Sequence, residues 1–140
     1  LREEQPEGQR RLGAQLKHDI SVPPGRLVDF LDRANDECGE ILKGVRINAF
    51  GHLGDGNVHY NLSPPVGRRD FSGLDSEFAI KLGRLATMMG GSFAAEHGLG
   101  RTKVVLADAL RDPVERNLMA RLKKSLDDTN QLNPDVLVFS

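Results

Sequence analysis

The sequence predicts an α+β domain, a mostly antiparallel sheet with helices packed on one face. Three observations carry that expectation. Stretches of period-two alternation are interleaved with stretches of period 3.6, in the order strand, helix, hairpin, helix, strand, helix. Two of the alternating stretches are separated only by a Gly-rich turn, which pairs them as antiparallel neighbours. The apolar share is 39% before 15 glycines are added, with 19 Lys and Arg against 20 Asp and Glu over 140 residues. That composition and length suit one folded core and exclude disorder.

The elements follow in chain order. Gln15 to Val22 alternates, with Leu16, His18, Ile20 and Val22 on one face and Lys17, Asp19 and Ser21 on the other, so a half-buried strand with a charged face is expected. Pro23-Pro24 ends it and pre-sets the first turn of a helix. Its apolar positions are Leu27, Leu31, Ala34, Cys38 and Ile41, and Gly44 is its stop. Val45 to His52 and Asn57 to Leu62 form a hairpin around Leu53-Gly54-Asp55-Gly56, where both glycines supply turn conformations closed to other residues. Leu74, Phe78, Leu82, Leu85 and Met89 mark a second helix, stopped by Gly90-Gly91. A short strand from Ser92 to Glu96 runs into Gly98-Leu99-Gly100, followed by a helix from about Arg101 to Leu110. Asp112, Pro113 and Glu115 have the spacing of an N-cap, a proline at the first helical position and a capping-box partner. The helix they open carries an apolar stripe at Val114, Leu118, Leu122 and Leu126. A ferredoxin-like arrangement is the closest standard fold for this order, and the whole chain, 1–140, is expected to be one domain.

The formal net charge of −1 and an aromatic content of six Phe and one Tyr lack the basic, aromatic-bearing footprint of a nucleic-acid binder. No apolar run approaches the ~18 residues of a membrane span, and a cytoplasmic location is expected. The single cysteine, Cys38, excludes an internal disulfide and, inside a helical pattern, reads as a small buried apolar residue in preference to a reactive thiol. Leu-Arg-Glu-Glu-Gln-Pro at the start is neither an initiator Met nor a signal peptide, as expected of a piece of a longer protein.

The hairpin carries the chemistry. If the turn at 53–56 sets His52 opposite Asn57, then Phe50 faces His59 and Asn48 faces Asn61. All six side chains then share one face, while Ile47, Ala49, Val58, Tyr60 and Leu62 share the other. His52 and His59 become diagonal neighbours roughly 7–8 Å apart at the backbone, near enough for two imidazoles to converge on one ion. A slip of one residue would send one of them into the core. Such a pair alone is more often a polar surface feature than a metal site. Glu96-His97, displayed where a strand runs into Gly98-Leu99-Gly100, strengthens the metal reading. Two histidines and a carboxylate leave coordination positions open, as catalytic Zn, Mn, Co or Fe sites do. Gly98-Leu99-Gly100 is a plain turn or, less often at such short motifs, an anion nest.

The run Gly51-His52-Leu53-Gly54-Asp55-Gly56-Asn57-Val58-His59-Tyr60-Asn61, followed by Gly90-Gly91-Ser92 and Ala95-Glu96-His97-Gly98-Leu99-Gly100, resembles the C-terminal domain of FAD-linked oxidases of the vanillyl-alcohol-oxidase type. More narrowly it is similar to the D-2-hydroxyacid dehydrogenase branch: D-lactate dehydrogenase, D-2-hydroxyglutarate dehydrogenase and the flavin subunit of glycolate oxidase. Lys17-His18-Asp19-Ile20-Ser21-Val22-Pro23 and Leu132-Asn133-Pro134 fit it too, so the resemblance covers nearly the whole chain. Where relatives close on Asn-Pro-Gly-Lys, this chain has Asn133-Pro134-Asp135-Val136.

The resemblance implies that His52, His59 and Glu96 bind a divalent metal, Zn or Mn, and that His97 is the catalytic base. It also implies that Arg2, Lys17 and Asn61 bind substrate. The implied activity is oxidation of a small D-2-hydroxy acid to the 2-oxo acid with hydride passing to FAD, which an absent preceding domain would bind. The residues here assign no FAD contact of their own. On this reading the chain is the substrate or cap domain, inactive alone, with its polar hairpin face left bare where flavin and substrate would lie. A bare surface of that kind can pair with itself, so a homo-oligomer is one expected state of the isolated chain. Two other classes stand beside this one: a non-catalytic cap for oligomerisation or electron-transfer assembly, and a metal-dependent hydrolase using the same two histidines and carboxylate.

Overall fold

The computed structural model describes residues 14–134 and 136. The chain divides into two compact units, Leu1–Glu96 and His97–Ser140. The first contains β1 (Leu16–Ser21), α1 (Leu27–Ile41), β2 (Arg46–His52), β3 (Asn57–Ser63) and α2 (Asp75–Met88). Its sheet is antiparallel in the order β1, β3, β2. Beyond the outer edge of β1 a single antiparallel bridge joins Ser21 to Ser92, closed by two backbone hydrogen bonds of 2.9 and 2.8 Å. With that bridge counted as a fourth position, the order across the sheet is the expected ferredoxin-like one.

The expected strand from Ser92 to Glu96 shrinks to this bridge. Beyond Ser92 the backbone departs from the ladder: Ala95 still donates to the carbonyl of Asp19 at 3.2 Å, but the N–H of Glu96 goes to the side chain of Asp19 at 2.7 Å. Once a carboxylate replaces the backbone acceptor, the chain is free to bend, and it bends at residues 95 to 97.

The hairpin register is the one alternation predicts: His52 pairs with Asn57, Phe50 with His59 and Asn48 with Asn61. On the opposite face, Val58, Tyr60 and Leu62 of central β3 are buried in the core. Edge strand β2 is only partly covered there, with Ile47 half-buried and Ala49 exposed. Of the two turn glycines only Gly56 has the left-handed conformation, φ +66°. It also lies against β1's end: a Cβ there would fall 1.8 Å from the Val22 carbonyl oxygen, whereas one at Gly54 would meet nothing within 4 Å.

The buried stripe of α1 is Leu27, Phe30, Ala34 and Cys38, with Leu31 and Ile41 packed at its margin. Phe30, absent from the sequence-derived stripe, is at its centre, packed edge-to-face on Tyr60 with ring centroids 6.2 Å apart. Burying a side chain of this size stabilises by about 1.5–3 kcal/mol. The Tyr60 hydroxyl stays satisfied by donating to Asn35 Oδ1 at 2.8 Å. Helix α2 buries Phe78, Leu82, Leu85 and Ala86. It ends as expected at Gly90-Gly91, where Gly90 donates to Thr87 at 3.0 Å and Gly91 to Ala86 at 2.9 Å, the paired bonds of a Schellman motif.

The second unit holds α3 (Val104–Leu110) and α4 (Pro113–Leu126). Helix α3 starts later than Arg101 because the preceding residues form turns. Asp112 caps α4 as expected, accepting the Val114 N–H at 2.7 Å. Glu115 takes no part in a capping box and instead pairs with Arg111. The stripe of α4 is exposed: Val114, Leu118, Leu122 and Leu126 are all more than half accessible. No helix among the described residues is long and apolar enough to cross a membrane.

Candidate functional site

Register places the polar side chains in rows across one face of the first unit's sheet, because directly paired residues of an antiparallel ladder project to the same side. One row runs Ser92, Ser21, Asn57, His52. The next is Asp19, His59, Phe50, and the third is Lys17, Asn61, Asn48. Neighbours within a row lie on strands about 4.8 Å apart, and successive rows, two residues along each strand, are about 6.6–6.8 Å apart, so long side chains of one row reach the next. Five residues singled out by sequence, His52, His59, Glu96, Lys17 and Asn61, belong to this unit, and four of them occupy this lattice directly. Arg2 lies outside the described residues. His97 opens the second unit and is exposed.

The lattice is graded in burial. His52 and Lys17 are exposed, His59 is half-buried, and Asn57, Asn61 and Asp19 are buried. The His59 ring leans on Phe50 with centroids 5.3 Å apart, an apolar wall that limits how it can turn. On its other side, His59 Nδ1 lies 3.6 Å from Asp19 Oδ1, beyond hydrogen-bond length but within ion-pair reach.

Glu96 reaches the face from the bend after Ser92. Its backbone is held by Asp19, and its carboxylate accepts a hydrogen bond from the Asn57 side-chain nitrogen. The Asn57 oxygen is buried without a hydrogen-bond partner among the described residues, a cost of roughly 1–3 kcal/mol that sites built to meet a ligand carry. Sequence reasoning placed Asp19 and Asn57 on these faces but gave neither a role in the site. The signal was present, since Asp19 shares the charged face of β1 with Lys17 and Asn57 lies opposite His52.

The donor set is chemically suited to a divalent cation. Two imidazoles and a carboxylate share one end of a sheet face, and a histidine whose Nδ1 faces a carboxylate offers Nε2 as ligand nitrogen. The ligand atoms of His52, His59 and Glu96 do not all lie within 4.8 Å of one another. Both His52 and Glu96 have exposed side chains.

The family described as "FAD linked oxidases, C-terminal domain" matches residues 1–137. A D-2-hydroxyglutarate dehydrogenase of Stutzerimonas stutzeri is 33% identical over 84% of this chain and 26% of its own length. A D-lactate dehydrogenase of Archaeoglobus fulgidus is 33% identical over 86% of this chain and 26% of its own. The mitochondrial D-2-hydroxyglutarate dehydrogenase of Rattus norvegicus is 34% identical over 96% of this chain and 24% of its own. The chain therefore spans about a quarter of the length of the curated relatives it matches.

Proposed function

The chain belongs to the family of C-terminal domains of FAD-linked oxidases, and on that premise we propose that it is the substrate- and metal-binding domain of an FAD-dependent D-2-hydroxyacid dehydrogenase. The relatives' names support the D-2-hydroxyacid class. The observation that carries the reading on this chain is the register of the hairpin, which gathers His52, His59, Asn57 and Asn61 on one face and pairs Asn61 with Lys17.

His52, His59 and Glu96 are the residues that would hold the divalent ion, Zn or Mn. When bound, the ion would supply Lewis acidity to the oxygens of the hydroxy acid, and FAD, held by a further domain, would accept the electrons. The remaining roles belong to this chain. The ammonium of Lys17 attracts the substrate carboxylate, Asn61 beside it fixes the carboxylate's orientation by hydrogen bonding, and Arg2 supplies a second cation. His97 takes the proton of the α-hydroxyl as carbon is oxidised, a step worth about 10²–10⁴-fold in rate.

The experiment is His97→Ala in the full-length protein, assayed with D-lactate, D-2-hydroxyglutarate, glycolate and D-malate and an artificial electron acceptor. The wild-type protein is expected to oxidise at least one of these acids. The variant is expected to lose turnover by about 10²–10⁴-fold while metal content measured by mass spectrometry is retained. Loss of metal together with turnover would make His97 a ligand, and a wild-type protein inert towards D-2-hydroxy acids would overturn the assignment of activity.

A further inference from the structure

We infer that Asp19 is a positioning residue that braces two of the metal-binding side chains at once, an inference that rests on the reading of His59 and Glu96 as metal ligands. It is 6% exposed, on the central stretch of β1, and its two oxygens serve different elements. Oδ2 accepts the backbone N–H of Glu96 at 2.7 Å, and Oδ1 faces His59 Nδ1 at 3.6 Å. Asp19 and His59 are direct partners in the β1–β3 ladder, so the carboxylate meets the ring from the adjacent strand, while Phe50 limits the ring from the other side.

Each contact has a distinct consequence. A carboxylate facing Nδ1 favours the tautomer with the proton on that nitrogen, which leaves the lone pair on Nε2 for an ion. The bond to Glu96 fixes where the chain leaves the sheet, hence where the Glu96 side chain begins. This contact spans 77 residues, tying the end of the segment after α2 to the first strand. A surface aspartate that merely solvates a sheet face would do neither.

Asp19→Asn separates these effects. Its amide oxygen can still accept from Glu96, but its N–H₂ group, turned towards Nδ1, favours the opposite tautomer of His59. In the full-length apoprotein labelled with ¹⁵N-histidine, wild-type His59 is expected to carry its proton on Nδ1 and the variant on Nε2. Chelator competition with Mn²⁺ and Zn²⁺ should show affinity weaker by about 10–100-fold in the variant, as for other groups that orient metal ligands. Asp19→Glu, which keeps the charge, should recover part of that loss.

Wild-type His59 protonated on Nε2 would overturn the inference whether or not the variant folds. So would a well-folded Asp19→Asn protein with unchanged metal affinity. If Asp19→Asn abolished binding while His52→Ala and Glu96→Gln left it intact, Asp19 would itself be a ligand and the bracing role would fall. If the wild-type protein bound neither metal, the underlying reading of the site would fail instead, independently of the tautomer result.

Discussion

Cys38, the chain's one thiol, is buried in the core of the first unit at 1% exposure. Burial pushes it up to about 11, more than its hydrogen-bonding contact with Tyr60 lowers it, with Glu37 adding to the rise. The thiolate is the reactive form, so at pH 8 a maleimide or disulfide reagent should leave the native protein unmodified for hours. In denaturant the same reagent should react completely within minutes, which mass spectrometry can follow. Rapid native labelling would contradict the burial of this helix face. The sequence identified Cys38 as a core residue because it falls in a helical stripe. It did not identify Phe30 or Asp19. Phe30 gains its place from Tyr60 on a distant strand, and Asp19 from a bond to Glu96. Both contacts are set by how elements meet, which periodicity along a single element does not contain.

Among the elements, the hairpin was legible down to its register, because one face had to be apolar and a shift of one residue would have sent one of its histidines into the core. Its turn was legible in composition but not in conformation. The two glycines look equivalent in sequence, yet only Gly56 has a positive φ and a backbone carbonyl 1.8 Å from where a Cβ would stand. Gly56→Ala should therefore destabilise by roughly 3 kcal/mol or more, combining backbone strain with a steric shift. Gly54→Ala should change stability by less than about 0.5 kcal/mol. Urea denaturation of the two variants checks this, and equal effects would refute the distinction.

The end of α4 is a second local device, and one sequence reasoning did not anticipate. Asp127 receives a hydrogen bond from Lys123 and accepts the N–H groups of Gln131 and Leu132 at 2.8 and 2.9 Å. Lys123 foremost, helped by those backbone donors, holds its carboxyl below the ordinary aspartate range. A depressed pKa contributes stability that is fully present above the unfolded-state pKa, about 3.9, and lost as pH falls through the lower folded value. Amide exchange at residues 128–132 should accelerate as pH drops below about 4, after correction for intrinsic rates. Asp127→Asn should show the faster exchange already at neutral pH and lose the additional acid-dependent step. Unchanged exchange in the variant would refute the role of this cap.

At the scale of the whole molecule, the family and the polar face were legible together, because the motifs that carry the resemblance are also the residues the hairpin gathers. What lay beyond reach was the long-range stitching of Glu96 to β1, since the loss of the expected fourth strand follows from a side chain replacing a backbone acceptor. The chain matches about a quarter of the length of its dehydrogenase relatives, and the described units contain no strand followed by the G-x-G-x-x-G fingerprint of a dinucleotide site. We therefore expect the chain by itself to fold through the core around Tyr60, Phe30 and Phe78 without oxidising anything. Purified and mixed with FAD, Mn²⁺, D-lactate or D-2-hydroxyglutarate and a dye acceptor, it should show no turnover, and desalting should remove all yellow colour. A cooperative thermal transition in the same sample would establish that the inactive chain is folded. The full-length protein, assayed in parallel, should retain flavin and reduce the dye. Turnover by the chain alone would mean that its own residues suffice to bind flavin, and the proposed division of labour between this chain and a flavin-binding domain would have to be abandoned.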